Sequence, residues 1–327
     1  MANHPNRARS DEEEDKKLPT TTGTAVQIVD FGGLGGLGTE DLGIDDLPTP
    51  LLQPVHYQCP QIMRGDPKYI PGAVPGMIFD VSVGEAWDGE KIGLDVLVCG
   101  VKKRYQEWIP RTNQLEKEKR QLVRVRSGNF RGFREVNDPV VQRLLAKHNR
   151  FMPLPWTNED RETVDLIECG ELFVMFAPPP LTASNARRAM VNFKSTALKE
   201  WTSYNGRHGN AKFVQPNGRS ESGPLCIWRW RLRTQPTQHA ENPAQRWFIF
   251  RLDLSSWVDQ VNAGVKDPVP NFLDNQVHVQ DPELFEMAVK SLQQYKLGAV
   301  KEYRPDDEGG SDDGSAGPAL DPEAPPF

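Results

Sequence analysis

Residues 93–109 read GLDVLVCGVKKRYQEWI, and this stretch decides the fold. β-Branched and aromatic side chains dominate it, an Asp88-Gly89 turn signal precedes it and Pro110 follows it, so it reads as one long strand. Alternate side chains of a strand face opposite ways. Leu97, Cys99, Val101, Tyr105 and Ile109 therefore share an apolar face, while Lys102, Arg104 and Trp108 share a basic and aromatic one.

Working outward, residues 77–83 form a shorter strand between Pro75-Gly76 and Gly84, and the two make a hairpin. Residues 121–126 continue the sheet, with Val123 and Val125 opposed to Leu122, Arg124 and Arg126. A short helix is expected over 139–149 after Asn137-Asp138, then a strand pair over 163–177 broken at Cys169-Gly170 and stopped by Pro178, Pro179 and Pro180. Residues 184–204 carry Ala186, Ala189, Met190, Phe193, Ala197, Leu198 and Trp201 at three- and four-residue spacings and predict a helix ending at Asn205-Gly206. Aromatic strands follow over 226–234 and 246–254. A last helix over 281–297 opens on Asp281-Pro282-Glu283 and closes at Gly298. The pattern predicts a β-rich α+β protein, an open barrel or curved antiparallel sheet like the oligonucleotide-binding fold, with added helices and disordered acidic termini.

The chain has 327 residues, of which 27 are glycine and 28 proline, too many turn formers for long helical bundles. No run approaches the roughly 18 apolar residues of a membrane helix, and residues 1–17 lack the apolar centre of a signal peptide. A soluble, cytoplasmic protein is expected. Cys59, Cys99, Cys169 and Cys226 stand far apart, as do the six histidines, so neither a metal site nor another cofactor is indicated. Gly33, Gly35 and Gly38 satisfy G-x-G-x-x-G, but acids, glycine and prolines follow where a nucleotide-binding helix should start, and the segment reads as a linker.

Net charge is -6, yet its distribution matters more than its total. Residues 1–50 hold 4 basic and 10 acidic side chains and residues 305–327 hold 7 acidic and none basic, which leaves 35 basic against 28 acidic between them. Two windows concentrate the positive charge: 102–134 with 11 basic and 3 acidic residues, and 187–233 with 10 and 2. A basic surface on an otherwise acidic chain is the electrostatic footprint of a nucleic-acid binder. The expected organisation is an acidic N-terminal segment to residue 50, a β-rich core over 51–180, an extension or second subdomain over 181–304, and an acidic tail over 305–327.

Strand parity refines the expected contacts. On 226–233, Trp228, Trp230 and Leu232 oppose Arg229, Arg231 and Arg233, so the tryptophans are expected in the core and the arginines outside it. Residues 127–134, SGNFRGFR, place Phe130 and Phe133 among Arg131, Arg134 and glycines, as in a loop that wraps a strand of nucleic acid. Cations that track phosphates beside rings that stack on bases are the chemistry of single-strand binding. The candidate contacts are Lys102, Arg104, Trp108, Arg124, Arg126, Phe130, Arg131, Phe133, Arg134, Arg229, Arg231 and Arg233.

The tail ends DPEAPPF, with Asp321, Glu323, Pro326 and Phe327. An acidic tail closed by proline and phenylalanine resembles the tip of bacterial single-stranded-DNA-binding proteins, and the resemblance implies that these four residues dock replication or recombination proteins. A tethered polyanion also competes for a basic groove when DNA is absent. Gly76-Met77-Ile78, Trp87-Asp88-Gly89-Glu90 and residues 105–111, YQEWIPR, look like a group of tailed-bacteriophage early-region proteins, which implies a phage origin.

No Walker loop, G-x-S-x-G elbow or defensible Cys and His arrangement marks an enzyme. Asp80, Asp88, Glu90, Lys91 and Asp95 have the composition of a metal-dependent nuclease site, although turns and strand edges explain them more simply. The expected function is sequence-tolerant binding of single-stranded DNA in phage replication or recombination. The alternatives are an early-region module that binds a host protein and, more remotely, a nuclease.

Overall fold

The stretch that begins at Gly93 forms the longest strand, Leu94–Thr112, and the described chain is arranged about it. The computed structural model describes residues 49–57, 59–112, 124–147, 154–157, 163–214, 219–238 and 246–300, all within one compact unit, Ile44–Phe327. In chain order the strands are β1 (Leu51–Pro54), β2 (Ile78–Asp80), β3 (Ala86–Trp87), β4 (Leu94–Thr112), β5 (Arg124–Glu135), β6 (Leu154–Thr157), β7 (Thr163–Ala177), β8 (Arg187–Lys194), β9 (Phe213–Val214), β10 (Ser220–Glu221), β11 (Arg229–Gln238) and β12 (Arg246–Leu254). The helices are α1 (Pro139–Leu145), α2 (Leu198–Asn210), α3 (Ser255–Asn262), α4 (Val277–Gln280) and α5 (Pro282–Lys296).

Ten strands build one sheet in the order β12-β11-β4-β7-β8-β1-β2-β3, with β5 beside β4 and β6 beside β7. It curls strongly into a half-barrel, so the β-rich α+β class expected from the sequence is found. The sheet is mixed rather than wholly antiparallel, because β1 pairs in parallel with β8, more than a hundred residues later. The curl brings strands distant in the order together: the Phe248 amide of β12 donates to His56 Nδ1 (3.2 Å), and the Thr234 amide of β11 donates to the Gly89 carbonyl (2.9 Å).

The middle of the sheet is covered on both faces. Along β7, Leu172, Val174 and Phe176 join one core cluster with Trp228, Trp230 and Tyr204, while Phe173, Met175 and Ala177 join another with Leu284, Ala288 and Leu292 of α5. Two glycines seat the covering helices. A Cβ at Gly170 would collide with the Trp201 ring of α2, and one at Gly100 with the Tyr295 ring of α5, which stacks on Phe173 at 5.4 Å. The single apolar face expected for β4 is thus corrected to two, and a bulge between Val98 and Gly100 shifts its parity midway.

Four other expectations are corrected. The strand at 78–80, β2, pairs with β1 and β3 and not with β4, so the hairpin expected between 77–83 and 93–109 is not formed. Residues 163–177 form one unbroken strand, since Gly170 serves helix packing rather than a turn. Residues 127–134, expected in a loop, lie within β5. The helix expected over 184–204 divides into β8, a tight turn at Ser195 (φ 48°) and then α2. Because Ala189, Met190, Val191 and Phe193 are buried on alternating faces, period two vanished into a continuous apolar run. Asn205 and Gly206 lie inside α2, not at its end. The boundary read at residue 181 falls between β7 and β8, which pair directly.

Candidate nucleic-acid interface

Strands β4 and β5 pair from Arg104 to Thr112 and carry the first basic window. Lys102 Nζ lies 2.7 Å from Glu135, and Arg134 bridges Glu107 (3.2 Å) and Asp138 (3.1 Å) with its guanidinium 4.5 Å above the Trp156 ring. Arg104 Nε lies 2.6 Å from Glu171, and its guanidinium sits 3.5 Å over Phe133. With side-chain exposures of 6% and 1%, Arg104 and Glu171 are an internal ion pair. The expectation that Arg104 faces a ligand is therefore corrected: β7 runs beside it and supplies the carboxylate. Trp108, Arg124, Arg126, Phe130 and Arg131 have their backbones in β4 and β5, and their side chains lie outside the described residues.

On β11 the expected division of faces is found. Trp228, Trp230 and Leu232 are buried, and Arg229, Arg231 and Arg233 take the other side. Arg231 is nevertheless internal. Its Nε donates to Asp95 (2.8 Å), Nη1 to the Ile92 carbonyl (3.0 Å) and Nη2 to Asp259 (2.9 Å), while Asp95 also accepts from Ser255 Oγ (2.8 Å) and the Leu181 amide (3.3 Å). This second correction shares its cause with the first, a carboxylate on a neighbouring strand, and here α3 also closes over the pair. Arg229 is half-buried, opposite Leu97.

Farther along the same face the balance reverses. Asp253 of β12, itself buried, receives Arg233 Nη2 at 2.8 Å, Arg251 Nε at 3.0 Å and Arg207 Nη1 at 3.7 Å. Three guanidiniums meet one carboxylate, so that among the described residues two positive charges are left over at the edge strand of the half-barrel. Arg207 and Arg251 keep over a third of their side chains exposed, at 36% and 39%. Aromatic rings lie beneath: Trp230 under Arg207 at 5.4 Å and Trp257 under Arg233 at 5.8 Å. Of these cations only Arg233 was picked out in the sequence. Arg251 was accessible to the same parity argument, since it alternates with Phe250 and Leu252 on β12; Arg207 was hidden by the misread helix.

The acidic residues weighed for a nuclease are committed elsewhere. Asp80 caps a turn through Ser82, Asp88 accepts from the Glu90 and Lys91 amides, and Asp95 holds Arg231. Among the described residues no three His, Cys, Asp or Glu side chains converge to hold a metal ion. All four cysteines are free and buried, and burial pushes the Cys99 and Cys169 thiols well above their ordinary range. Asp321, Glu323, Pro326 and Phe327 lie outside the described residues.

The comparison with protein families decides the lineage. A model of the Pam3 phage gp34-like protein family matches residues 20–301. The chain belongs to that family. Membership in the gp34-like family agrees with the phage origin implied by residues 76–111, and the match takes in the half-barrel and its helices while stopping short of the acidic tail. Neither a curated protein nor a solved structure gives a significant match to this gp34-like protein. No helix among its described residues is long and apolar enough to cross a membrane.

Proposed function

We propose that this gp34-like protein binds single-stranded DNA without sequence selection during phage replication or recombination. The observation that carries the reading is the Asp253 cluster, where Arg207, Arg233 and Arg251 outnumber their carboxylate on an exposed sheet edge with indole rings beneath. Phosphates supply the missing negative charge there, and sequence tolerance follows because the cations track the backbone and not base edges. In this reading the acidic tail competes for the cluster and recruits replication or recombination proteins through Asp321, Glu323, Pro326 and Phe327.

The test is a fluorescence-anisotropy titration of labelled oligo-dT at two salt concentrations with wild type, Arg251→Gln and Arg233→Gln. Each substitution should weaken binding and flatten the salt dependence by about 0.7 in log Kd against log salt for each lost phosphate contact. Absence of binding by the wild-type chain at low salt refutes the proposal.

A second reading, a module that binds a host protein, draws on a different observation. Ile92, Val261, Val265 and Val269 are exposed, and the region is tied together as Gln260 clamps Val269 through both backbone groups and Asn262 donates to the Lys91 carbonyl. Absence of oligo-dT binding by the wild-type chain at low salt would favour it.

A further inference from the structure

Helix α2 is an unusual place for glycine. Gly206 and Gly209 fall within its last turns, where each weakens the helix relative to alanine. Neither has a backbone conformation that requires glycine, and a Cβ added at either would meet nothing within 4 Å. Packing therefore does not account for them, in contrast to Gly100 and Gly170.

Gly206 lines an open groove of about 610 Å³ together with Ser203, Arg207, Asn210, Lys212 and Phe272. Its two cations differ in how far they are compensated. Arg207 donates to the Leu252 carbonyl and lies at the long distance of 3.7 Å from Asp253, and its buried Nε has no hydrogen-bond partner among the described residues. Lys212, which lines the groove, is exposed, and its ammonium donates to Ser222 Oγ at 2.8 Å. His208, on the same turn, has its pKa lowered by burial, so the groove's charge at neutral pH rests on the Arg and the Lys. Phe272 is half-buried and braced edge-on by Trp228 (5.0 Å) and Trp230 (6.0 Å), which fixes its ring.

We infer that this groove is a nucleotide subsite, in which Phe272 stacks on a base, Arg207 and Lys212 hold the flanking phosphates, and Gly206 leaves the helix surface bare so that the strand can lie against it. The inference rests on the single-strand reading and extends it: Arg207 belongs both to the Asp253 cluster and to the groove, so the strand passes from the β12 edge onto α2. A negative ligand at a helix C-terminus works against the helix dipole, and Arg207 and Lys212 stand where they offset it.

Gly206 provides a test that does not endanger folding, since an uncharged helix former there adds stability. Full-length Gly206→Ala, Gly206→Gln and Gly206→Glu, with Lys212→Gln and Phe272→Leu, are titrated against labelled oligo-dT and an abasic strand of equal length, and melting temperatures are recorded. Gly206→Glu should weaken binding at least about 10-fold, with Gly206→Gln in between and the Gly206→Ala and Gly206→Gln variants at least as heat-stable as wild type. Phe272→Leu should cost about 5- to 150-fold on oligo-dT, the range of one base–aromatic stack, and far less on the abasic strand. Lys212→Gln should flatten the salt dependence by about 0.7. Wild-type affinity in Gly206→Glu, or equal losses on both strands in Phe272→Leu, overturns the subsite while leaving the single-strand reading standing; absence of binding by wild type overturns both.

Discussion

Replacing Arg231 by methionine removes the guanidinium from a buried site and leaves the aliphatic stem in place. Arg231 and Asp95 have side-chain exposures of 4% and 3%, and three hydrogen bonds tie the guanidinium to β4, to the Ile92 carbonyl and to α3. Asp95 would keep Ser255 Oγ and the Leu181 amide but lose its counter-charge in a site closed to water. Removing one partner of such a pair costs about 3–5 kcal/mol, whereas Asp259, 61% exposed, regains water and contributes little. For a folded part of this size that is a fall in melting temperature of roughly 6–20 °C. Urea unfolding followed by the fluorescence of buried Trp228 and Trp230 should show the midpoint moving down at constant slope. Arg231→Met with Asp95→Asn removes both charges while keeping hydrogen-bonding capacity toward Ser255, and should recover most of the loss. A single variant within about 1 kcal/mol of wild type, or a double variant no better than the single, refutes the reasoning. So does a flattened salt dependence of DNA binding in Arg231→Met, because a residue spent internally has no phosphate to lose.

Acid should weaken the closure of the half-barrel at His56, which accepts from the Phe248 amide and is held neutral by burial, its pKa lowered from 6.5 to about 4. The unfolded chain takes up that proton first, so unfolding free energy should fall by about 3 kcal/mol as pH drops from above 6.5 to below 4, and His56→Gln should abolish this part of the slope in urea titrations at successive pH values. Gly170→Ala should lower stability by about 1–3 kcal/mol through overpacking against Trp201, as measured by thermal denaturation; an unchanged melting temperature would mean that α2 is free to shift. A chain ending at Arg304 should bind oligo-dT more tightly than the full-length chain at low salt, with the difference vanishing at high salt; equal affinities would exclude competition by the tail.

Local signals carried the elements whose two faces differ. The alternation of Trp228, Trp230 and Leu232 with three arginines identified the buried face of β11 correctly, although the strand runs from Arg229 to Gln238 and not over 226–234; the bounds of β12 and the Asp281 cap of α5, which accepts from the Leu284 amide, were also legible. Period two failed where helices cover both faces, as along β8, because burial on both sides erases alternation.

The sequence by itself determined the class of fold, the core side of β11 and the sign of charge along the chain, since strand parity and local composition depend only on neighbouring residues. Which arginines are available to a ligand was a tertiary decision. Arg231 meets Asp95 from 136 residues away and Arg104 meets Glu171 across the β4–β7 pair, whereas Arg207, Arg233 and Arg251 converge on the single carboxylate of Asp253. A charge count along the chain cannot distinguish these cases. Compensation depends on which carboxylate the sheet register and the packed helices bring within a few ångströms of each guanidinium.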